Sequence, residues 1–512
     1  MTGVADVLMH MRESGVQLWT ENGRLHYKAP KGALDAHHIE TLRAAKGQIV
    51  ALLEKATGMQ PHEMWLESPP RLARAPLAFS QQAHWYLAGL NEQPAIRQIV
   101  SATRLRGRLN IDALQRSAAE IVRRHDALRT RIVVVDGAPT QEVAASSDCD
   151  LTVRDLTSSS IDSREAEVCR IIERLILEPI DVAVGPLSEM QLIRLREDEH
   201  VLVIVMEHLV SDAFSMNILT RELFACYVQA SNGRAFSLPE IPVQLCGYAI
   251  QQRNMLPSWI ERHGGYWSER LAGSRRLRFP ADRSMPVESP AGWGDVPIRI
   301  GKDLKNELRE WCRLKRTTLV MSVLTAYAGF VLRWCEAREV VLQHQTDGRV
   351  SPRLENTIGY LASVIFLRLQ CLETDNFVDL LNRVTDEYCR AYEHADSSYL
   401  VAKTSRPEFA RNTAFNWVPQ GSRLDLSGLD ESQDAIQCSP FPFAHPMLRT
   451  LERDNEPVVL FYDTEEEIVG GVQFPLNRFS TQLMERFSHD FLSFITALLR
   501  TPEARMKDIV LT

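Results

Sequence analysis

Residues 201–229 read VLVIVMEHLVSDAFSMNILTRELFACYVQ. The first six (VLVIVM) are apolar without a break and rich in β-branched side chains, the pattern of a strand buried on both faces. Positions 214–229 instead carry apolar residues at helical spacing. Glu207, His208 and Asp212 stand between them, so a His and an Asp four residues apart occupy a strand-to-helix turn. Rigid elements on both sides of such a turn can fix an imidazole within hydrogen-bonding reach of a substrate. The HxxxD spacing alone is short, and a His closing a buried strand is more often a satisfied core histidine than a catalytic one. The neighbouring sequence decides between the two.

At 512 residues the chain is too long for one compact core and is expected to form two to four domains. Hydrophobic residues make up 45% and charged residues 24%, an ordinary globular composition, and no stretch is apolar for the 18 or more residues a membrane span needs. The opening MTGVADVLMHMRESG lacks the basic and apolar regions of a secretory signal, so a cytoplasmic protein is expected. Nine scattered cysteines with no CxxC pair argue against a disulfide framework and against structural zinc. A net charge of -8 disfavours nucleic acid as a partner.

Residues 1–58 form a small module, followed by a Pro-rich linker over 59–75. A short helix near 4–12 precedes two short strands that flank Glu21-Asn22-Gly23. Asn-Gly between such runs marks a tight hairpin, because a type I′ turn needs positive φ at both central positions. Asp35 then caps a helix running to about Lys55. Along the second strand Arg24, His26 and Lys28 alternate with Leu25, Tyr27 and Ala29, giving one basic face that reads either as a solvated surface or as a binding edge. This α-β-β-α order resembles the β-hairpin, TubC-like docking domains of assembly-line enzymes. By that resemblance the hairpin would take up the acidic C-terminal tail of an upstream carrier protein as an added strand, with Arg24, Lys28 and Lys31 as charge partners.

From residue 76 onwards a series of motifs appears in order: PLAFSQQAHWYL (76–87), RRHDALRTRI (123–132), EHLVSDA (207–213), GYAIQQR (247–253), YWSERLAG (266–273), FPADRSMP (279–286), DGRVSPRLENTIGYLASVIFLRLQ (347–370), HAD (394–396) and RNTAFNWV (411–418). The ordered set resembles a nonribosomal peptide synthetase condensation domain. The resemblance implies an α/β fold of two chloramphenicol-acetyltransferase-like lobes, 76–285 and 286–512, set as a V-shaped pseudo-dimer with the site between them. Local patterning agrees, since 180–208 reads as a hairpin turning at Glu197-Asp198-Glu199. Composition alone reveals no internal duplication.

The same resemblance makes His208 the acting residue, either as general base or by positioning the nucleophile. No Ser, Cys or Thr sits in a nucleophile-elbow pattern, so a mechanism without an acyl-enzyme is expected. Asp212 is then a structural anchor paired with an Arg, Arg129 being the first candidate by position and Arg349 the second. The family's HHxxxDG pattern is broken twice, at Glu207 and Ala213. Alternation along a strand should turn Glu207 away from the reacting groups; Ala213 adds a methyl where positive φ, or room beside a pantetheine arm, could require Gly. Ser363 stands where the family has Asn on the acceptor side, and is otherwise a packed strand residue. His394 is expected to be structural; His10, His37 and His38 show no metal-ligand spacing.

The implied reaction moves an acyl or polyketide chain from a carrier-bound phosphopantetheinyl thioester to an amine or hydroxyl acceptor, a free small molecule being favoured, with chain release as amide or ester. This arrangement resembles that of a stand-alone condensation enzyme of the enacyloxin type. No bound cofactor, no metal, no membrane and a monomer are expected. Three rivals share the motif: an epimerisation domain, a non-catalytic recruitment domain, and an acyl-CoA-dependent HxxxD acyltransferase.

Overall fold

The computed structural model describes residues 17–21, 24–28, 46, 71–89, 98–146, 151–282, 292–395, 398–405, 412–418, 436–443, 456–464 and 466–509. At the N-terminal side, strands β1 (Gln17–Glu21) and β2 (Arg24–Lys28) pair antiparallel with Glu21 opposite Arg24, leaving Asn22-Gly23 as the two-residue connection read from the sequence. The strands carrying Arg24 and Lys28 are thus in place. Lys31 and the two flanking helices lie outside the described residues.

The first lobe contains β3 (Arg74–Pro76), α1 (Phe79–Gly89), β4 (Gln98–Arg106), α2 (Ile111–Arg124), β5 (Thr130–Val135), β6 (Ala138–Val143), β7 (Leu151–Asp155), α3 (Ile161–Leu177), β8 (Ser188–Arg196), β9 (Glu199–Glu207) and α4 (Ala213–Ser231). The long helix α5 (Leu245–Arg270) leads out of it. The second lobe follows as β10 (Trp293–Ile300), α6 (Lys302–Lys315), α7 (Leu319–Trp334), β11 (Glu339–Thr346), β12 (Ser363–Gln370), α8 (Phe377–Tyr392), α9 (Ser398–Ser405), β13 (Thr413–Val418), β14 (Gln437–Pro440), β15 (Val458–Asp463), β16 (Ile468–Pro475) and α10 (Thr481–Arg500).

The two main sheets follow one plan. Their orders are β14-β4-β9-β8-β7 and β10-β16-β15-β13-β11-β12. In each, the opening strand (β4 or β10) pairs antiparallel with the second arm of a hairpin (β9 or β16), whose first arm (β8 or β15) takes a parallel neighbour (β7 or β13). Each opening strand feeds a helix, α2 or α6, and each hairpin runs into a long one, α4 or α10. The duplication invisible in composition is explicit in the topology.

The apolar run at 201–206 becomes the centre of the first sheet, and every residue of β9 is buried. Val201, Val203 and Val205 face α3, packing on Val168, Ile171, Ile172 and Leu175; Leu202, Ile204 and Met206 face the main core. Burial on both faces is why this strand lacks polar alternation. In α2, Asn110 caps the first turn and Ala113, Leu114, Ala118, Ile121 and Val122 form the buried stripe. No single helix among the described residues is long and apolar enough to cross a membrane.

Two boundaries differ from those read in the sequence. Strand β3 pairs with β6, Arg74 opposite Glu142 and ion-paired to it at 2.9 Å, so the lobe begins inside the segment assigned as linker. Strand β14, from the chain's second half, joins the first lobe's sheet beside β4. It covers an otherwise open sheet edge, and Phe441 just beyond it is buried in the α3-side core under the Arg104 guanidinium, 5.0 Å from the ring centroid. Lobe membership therefore does not follow a single cut near 285.

Candidate functional site

Strand β9 ends at Glu207, and the chain makes one 3-10 turn, His208–Val210, before α4 begins. Leu209 and Val210 are buried and pin the turn from below, while the Gln81 amide on α1 donates to the Leu209 carbonyl at 2.6 Å. His208 stays part-exposed in a deep setting. Its Nδ1 lies 2.8 Å from the Ser211 carbonyl oxygen. A carbonyl only accepts, so Nδ1 carries the hydrogen and a neutral ring leaves Nε2 as a bare lone pair. Burial pulls the His208 pKa below its ordinary value, against the opposing pull of the backbone bonds and of Asp212. The ring is thus a neutral base at pH 7, with Nε2 making no hydrogen bond among the described residues.

Asp212 caps α4, and its carboxylate is spent entirely on holding structure. Oδ1 accepts from Ser215 N (2.7 Å), Ser215 Oγ (2.8 Å) and Arg349 Nη2 (3.1 Å); Oδ2 accepts from Arg349 Nη1 (3.0 Å) and from the backbone N–H groups of Leu361 and Ala362 (both 3.1 Å). Burial alone would raise its pKa, but the Arg349 charge and these donors outweigh that and hold it below the usual carboxylate range. Arg349 also donates to the carbonyls of Asp347 and Thr357. The second-choice arginine is therefore the partner. Arg129, the first choice, turns back on its own segment, pairing with Asp126 at 2.7 Å and donating to the Val122 carbonyl at 3.1 Å.

Arg349 reaches Asp212 because Gly348 precedes it with φ +63, and a Cβ there would collide with the Leu361 carbonyl. The rest of the second motif is also structural: Arg124 and His125 each lie 2.8 Å from the buried Glu222 carboxylate, tying α2 to α4. Ser363, half-buried, opens β12 opposite Thr346, next to the Ala362 N–H that binds Asp212. His394 packs away from the turn, its Nδ1 2.9 Å from His263 Nδ1 and its ring stacked on Tyr266.

Two side chains that sequence reasoning passed over stand beside His208. The Tyr360 ring centroid is 4.3 Å from that of His208, and His84 on α1 is 5.2 Å from it. Both lie inside the quoted motifs, yet only the packing of α1 and the 359–362 segment against the turn brings them together. Ser80 Oγ donates to the Tyr360 carbonyl at 2.5 Å, and Ser215 Oγ bonds both the carbonyl (2.8 Å) and the N–H (3.0 Å) of Gly359. The site is thus a neutral imidazole on a turn clamped by both lobes.

Residues 72–512 match the family described as Condensation domain, and residues 4–55 match the TubC N-terminal docking domain. The chain belongs to the condensation-domain family. Chondramide synthase cmdD of Chondromyces crocatus is 31% identical over 460 residues, covering 87% of this chain, and the chain spans 11% of that relative's length. Among solved structures, the EpoB cyclization-docking bidomain of a nonribosomal peptide synthetase from Sorangium cellulosum aligns over 98% of both chains with a TM-score of 0.65 at 19% identity. The X-domain in its complex with OxyB from teicoplanin biosynthesis aligns over 87% of this chain and 98% of its own, with a TM-score of 0.67 at 21% identity.

Within the condensation domain the two motif departures have separate structural settings. Glu207 is buried at the end of β9, two residues after Val205, so strand alternation sets it on the face of Val201, Val203 and Val205. Ala213 is the first residue of α4, with no positive φ, so its backbone does not require Gly.

Proposed function

We propose that this condensation domain transfers an acyl or polyketide chain from the phosphopantetheinyl thioester of a carrier protein to an amine or hydroxyl acceptor, releasing an amide or ester. The observation that carries the reading is the His208 imidazole, neutral, pinned through Nδ1 to Ser211 O and presenting Nε2. The acceptor nitrogen or oxygen bonds to the thioester carbonyl carbon while Nε2 takes its proton. The tetrahedral intermediate then collapses, the C–S bond breaks, and the departing thiolate recovers the proton from the imidazolium. No acyl-enzyme is required. Asp212 and Arg349 keep the turn in shape and take no proton.

The docking-domain match supports delivery of the donor by a carrier whose C-terminal tail adds to the β1–β2 hairpin, with Arg24, Lys28 and Lys31 meeting acidic residues of that tail. Binding the tail raises the carrier's effective concentration at the site.

The test is to mix the protein with a hexanoyl-loaded carrier, with and without its tail, and a panel of amines and alcohols, following products by intact mass. Absence of any product, or equal turnover by His208→Ala, sinks the catalytic reading; unchanged turnover on deleting 1–58 sinks the docking reading. A second reading, a recruitment domain that joins no substrates, is favoured only by Glu207 and Ala213 replacing family residues. It predicts that His208→Ala changes nothing.

A further inference from the structure

One hydrogen bond does not orient an imidazole. The Nδ1 contact to Ser211 O fixes one ring atom of His208, but the torsion that sets the plane of a histidine ring is broad and roughly two-fold. A second contact has to hold that plane, and Tyr360 makes it. The two ring centroids are 4.3 Å apart with a 40° tilt, which is direct packing of ring on ring. The backbone carrying Tyr360 is fastened residue by residue. Gly359 N donates to Ser215 Oγ at 3.0 Å, the Tyr360 carbonyl accepts from Ser80 Oγ at 2.5 Å, and the Leu361 and Ala362 N–H groups both reach Asp212 Oδ2 at 3.1 Å. Each of these four second-lobe residues is thus held by a side chain of the first lobe. Ile358, Leu361 and Ala362 are buried, whereas Tyr360 is half-buried and meets the turn.

We propose that Tyr360 is a positioning residue for the acyl transfer: its ring, delivered by the second lobe, sets the plane of the His208 imidazole and shields it from water. This rests on the acyl-transfer function proposed above. Asp212 then acts on His208 at one remove, since it holds the 361 and 362 N–H groups, these place Tyr360, and Tyr360 places the ring. An imidazole that rocks about its single hydrogen bond carries Nε2 off the line of proton transfer, where misplacement by about 1 Å can cost on the order of 100-fold. The cover also has an electrostatic consequence. Burial is the largest influence on the His208 ring and favours its neutral form. Among the described residues the ionisable groups around the ring are Asp212, ion-paired to Arg349 at 3.0 Å, Glu207 one residue before it, His84 from α1 at 5.2 Å between centroids, and Tyr360 itself. Replacing Tyr360 leaves the others in the chain, so a change in the titration of His208 reports the lost cover.

The full chain is compared with Tyr360→Phe, which keeps the flat ring, and Tyr360→Ala, which removes it. Tyr360→Leu, with bulk but no flat face, carries the comparison if the Ala variant loses more than a few degrees of thermal midpoint. The donor is the hexanoyl-loaded carrier, and the acceptor is the amine or alcohol giving most product in the panel. In Tyr360→Ala the expected kcat is roughly 10- to 100-fold lower with both KM values near the parent's. The acid limb of the pH–rate profile moves up by about 0.5–1 unit, towards the ordinary histidine range, and Tyr360→Phe restores both. A second readout needs no turnover. Diethyl pyrocarbonate acylates neutral imidazoles, and mass mapping of the His208 peptide is expected to show severalfold faster modification in Tyr360→Ala, with Tyr360→Phe at the parent rate. Parent-like kcat and acid limb in a folded Tyr360→Ala overturn the proposal while leaving the His208 function standing. Equal loss in the Phe and Ala variants also overturns it, since the hydroxyl and not the ring face would then act. So does a loss of kcat with an unmoved acid limb and unchanged modification, which marks a packing defect alone. A parent chain that makes no product removes the acyl-transfer reading. The modification rate then decides by itself whether Tyr360 covers the imidazole, and an unchanged rate in Tyr360→Ala overturns that role.

Discussion

Replacing Asp212 by Ala separates a structural anchor from a catalytic partner of His208. The Asp212 and Arg349 side chains are 2% and 4% exposed, and removing the carboxylate strands the guanidinium in the interior. Breaking a buried pair from one side costs roughly 3–5 kcal/mol. The same substitution removes the cap of α4, worth about 1 kcal/mol, and takes the acceptor from the Leu361 and Ala362 N–H groups. These losses overlap, because all fall on one segment that relaxes together. A destabilisation of roughly 4–6 kcal/mol is expected, a large share of the ~5–15 kcal/mol that holds a typical domain. Urea unfolding followed by tryptophan fluorescence measures it. Asp212→Asn should fall between parent and Ala, keeping the cap and losing the charge. The double variant Asp212→Ala/Arg349→Met should recover part of the single variant's loss, because no buried charge then remains unpaired. The reasoning is refuted if Asp212→Ala keeps the parent's urea midpoint yet loses turnover by about 10³-fold or more, the signature of a group acting through the imidazole.

Acid should weaken the fold through its buried histidines. Burial depresses the pKa of His125, His200 and His208, and takes His344 down to about 4. Below the unfolded value of about 6.5 the unfolded chain binds protons that the native rings refuse, so stability is full above that pH and is lost as pH falls towards the depressed values; urea midpoints at pH 7.5, 6 and 5 should decline in that order. The acid limb of kcat/KM should likewise lie below pH 6.5, and a limb centred above it would contradict a depressed His208. Glu207→Gln should change kcat by less than about threefold, because the residue shares the α3 face of β9; a hundredfold change would place it in the site. Gly348→Ala should lose both solubility and turnover, since the added Cβ meets the Leu361 carbonyl at a left-handed φ, and parent-like expression and activity would show that the 347–349 bend is dispensable.

Some of this was legible without coordinates. The run at 201–206, the turn at 207–213 and the helix after it are local patterns, and β9, the 3-10 turn and α4 reproduce them with shifts of only a residue or two. The hairpin connection at Asn22-Gly23 was equally local. The helix start at Ala213 removed the concern about positive φ, which no neighbouring residue type could have settled.

What the sequence by itself determined was the order of elements and the motif series, because periodicity, turn chemistry and spacing are properties of adjacent residues. Tertiary structure alone decided the partnerships. Arg129 and Arg349 are indistinguishable as arginines near motifs; only the docking of the second lobe places the latter, 137 positions away, in bidentate contact with Asp212. The same docking sets β14 in the other lobe's sheet and brings Tyr360 to His208, while α1 of His208's own lobe brings His84. A buried carboxylate takes the guanidinium that the folded backbone carries to it, and that choice is made in three dimensions.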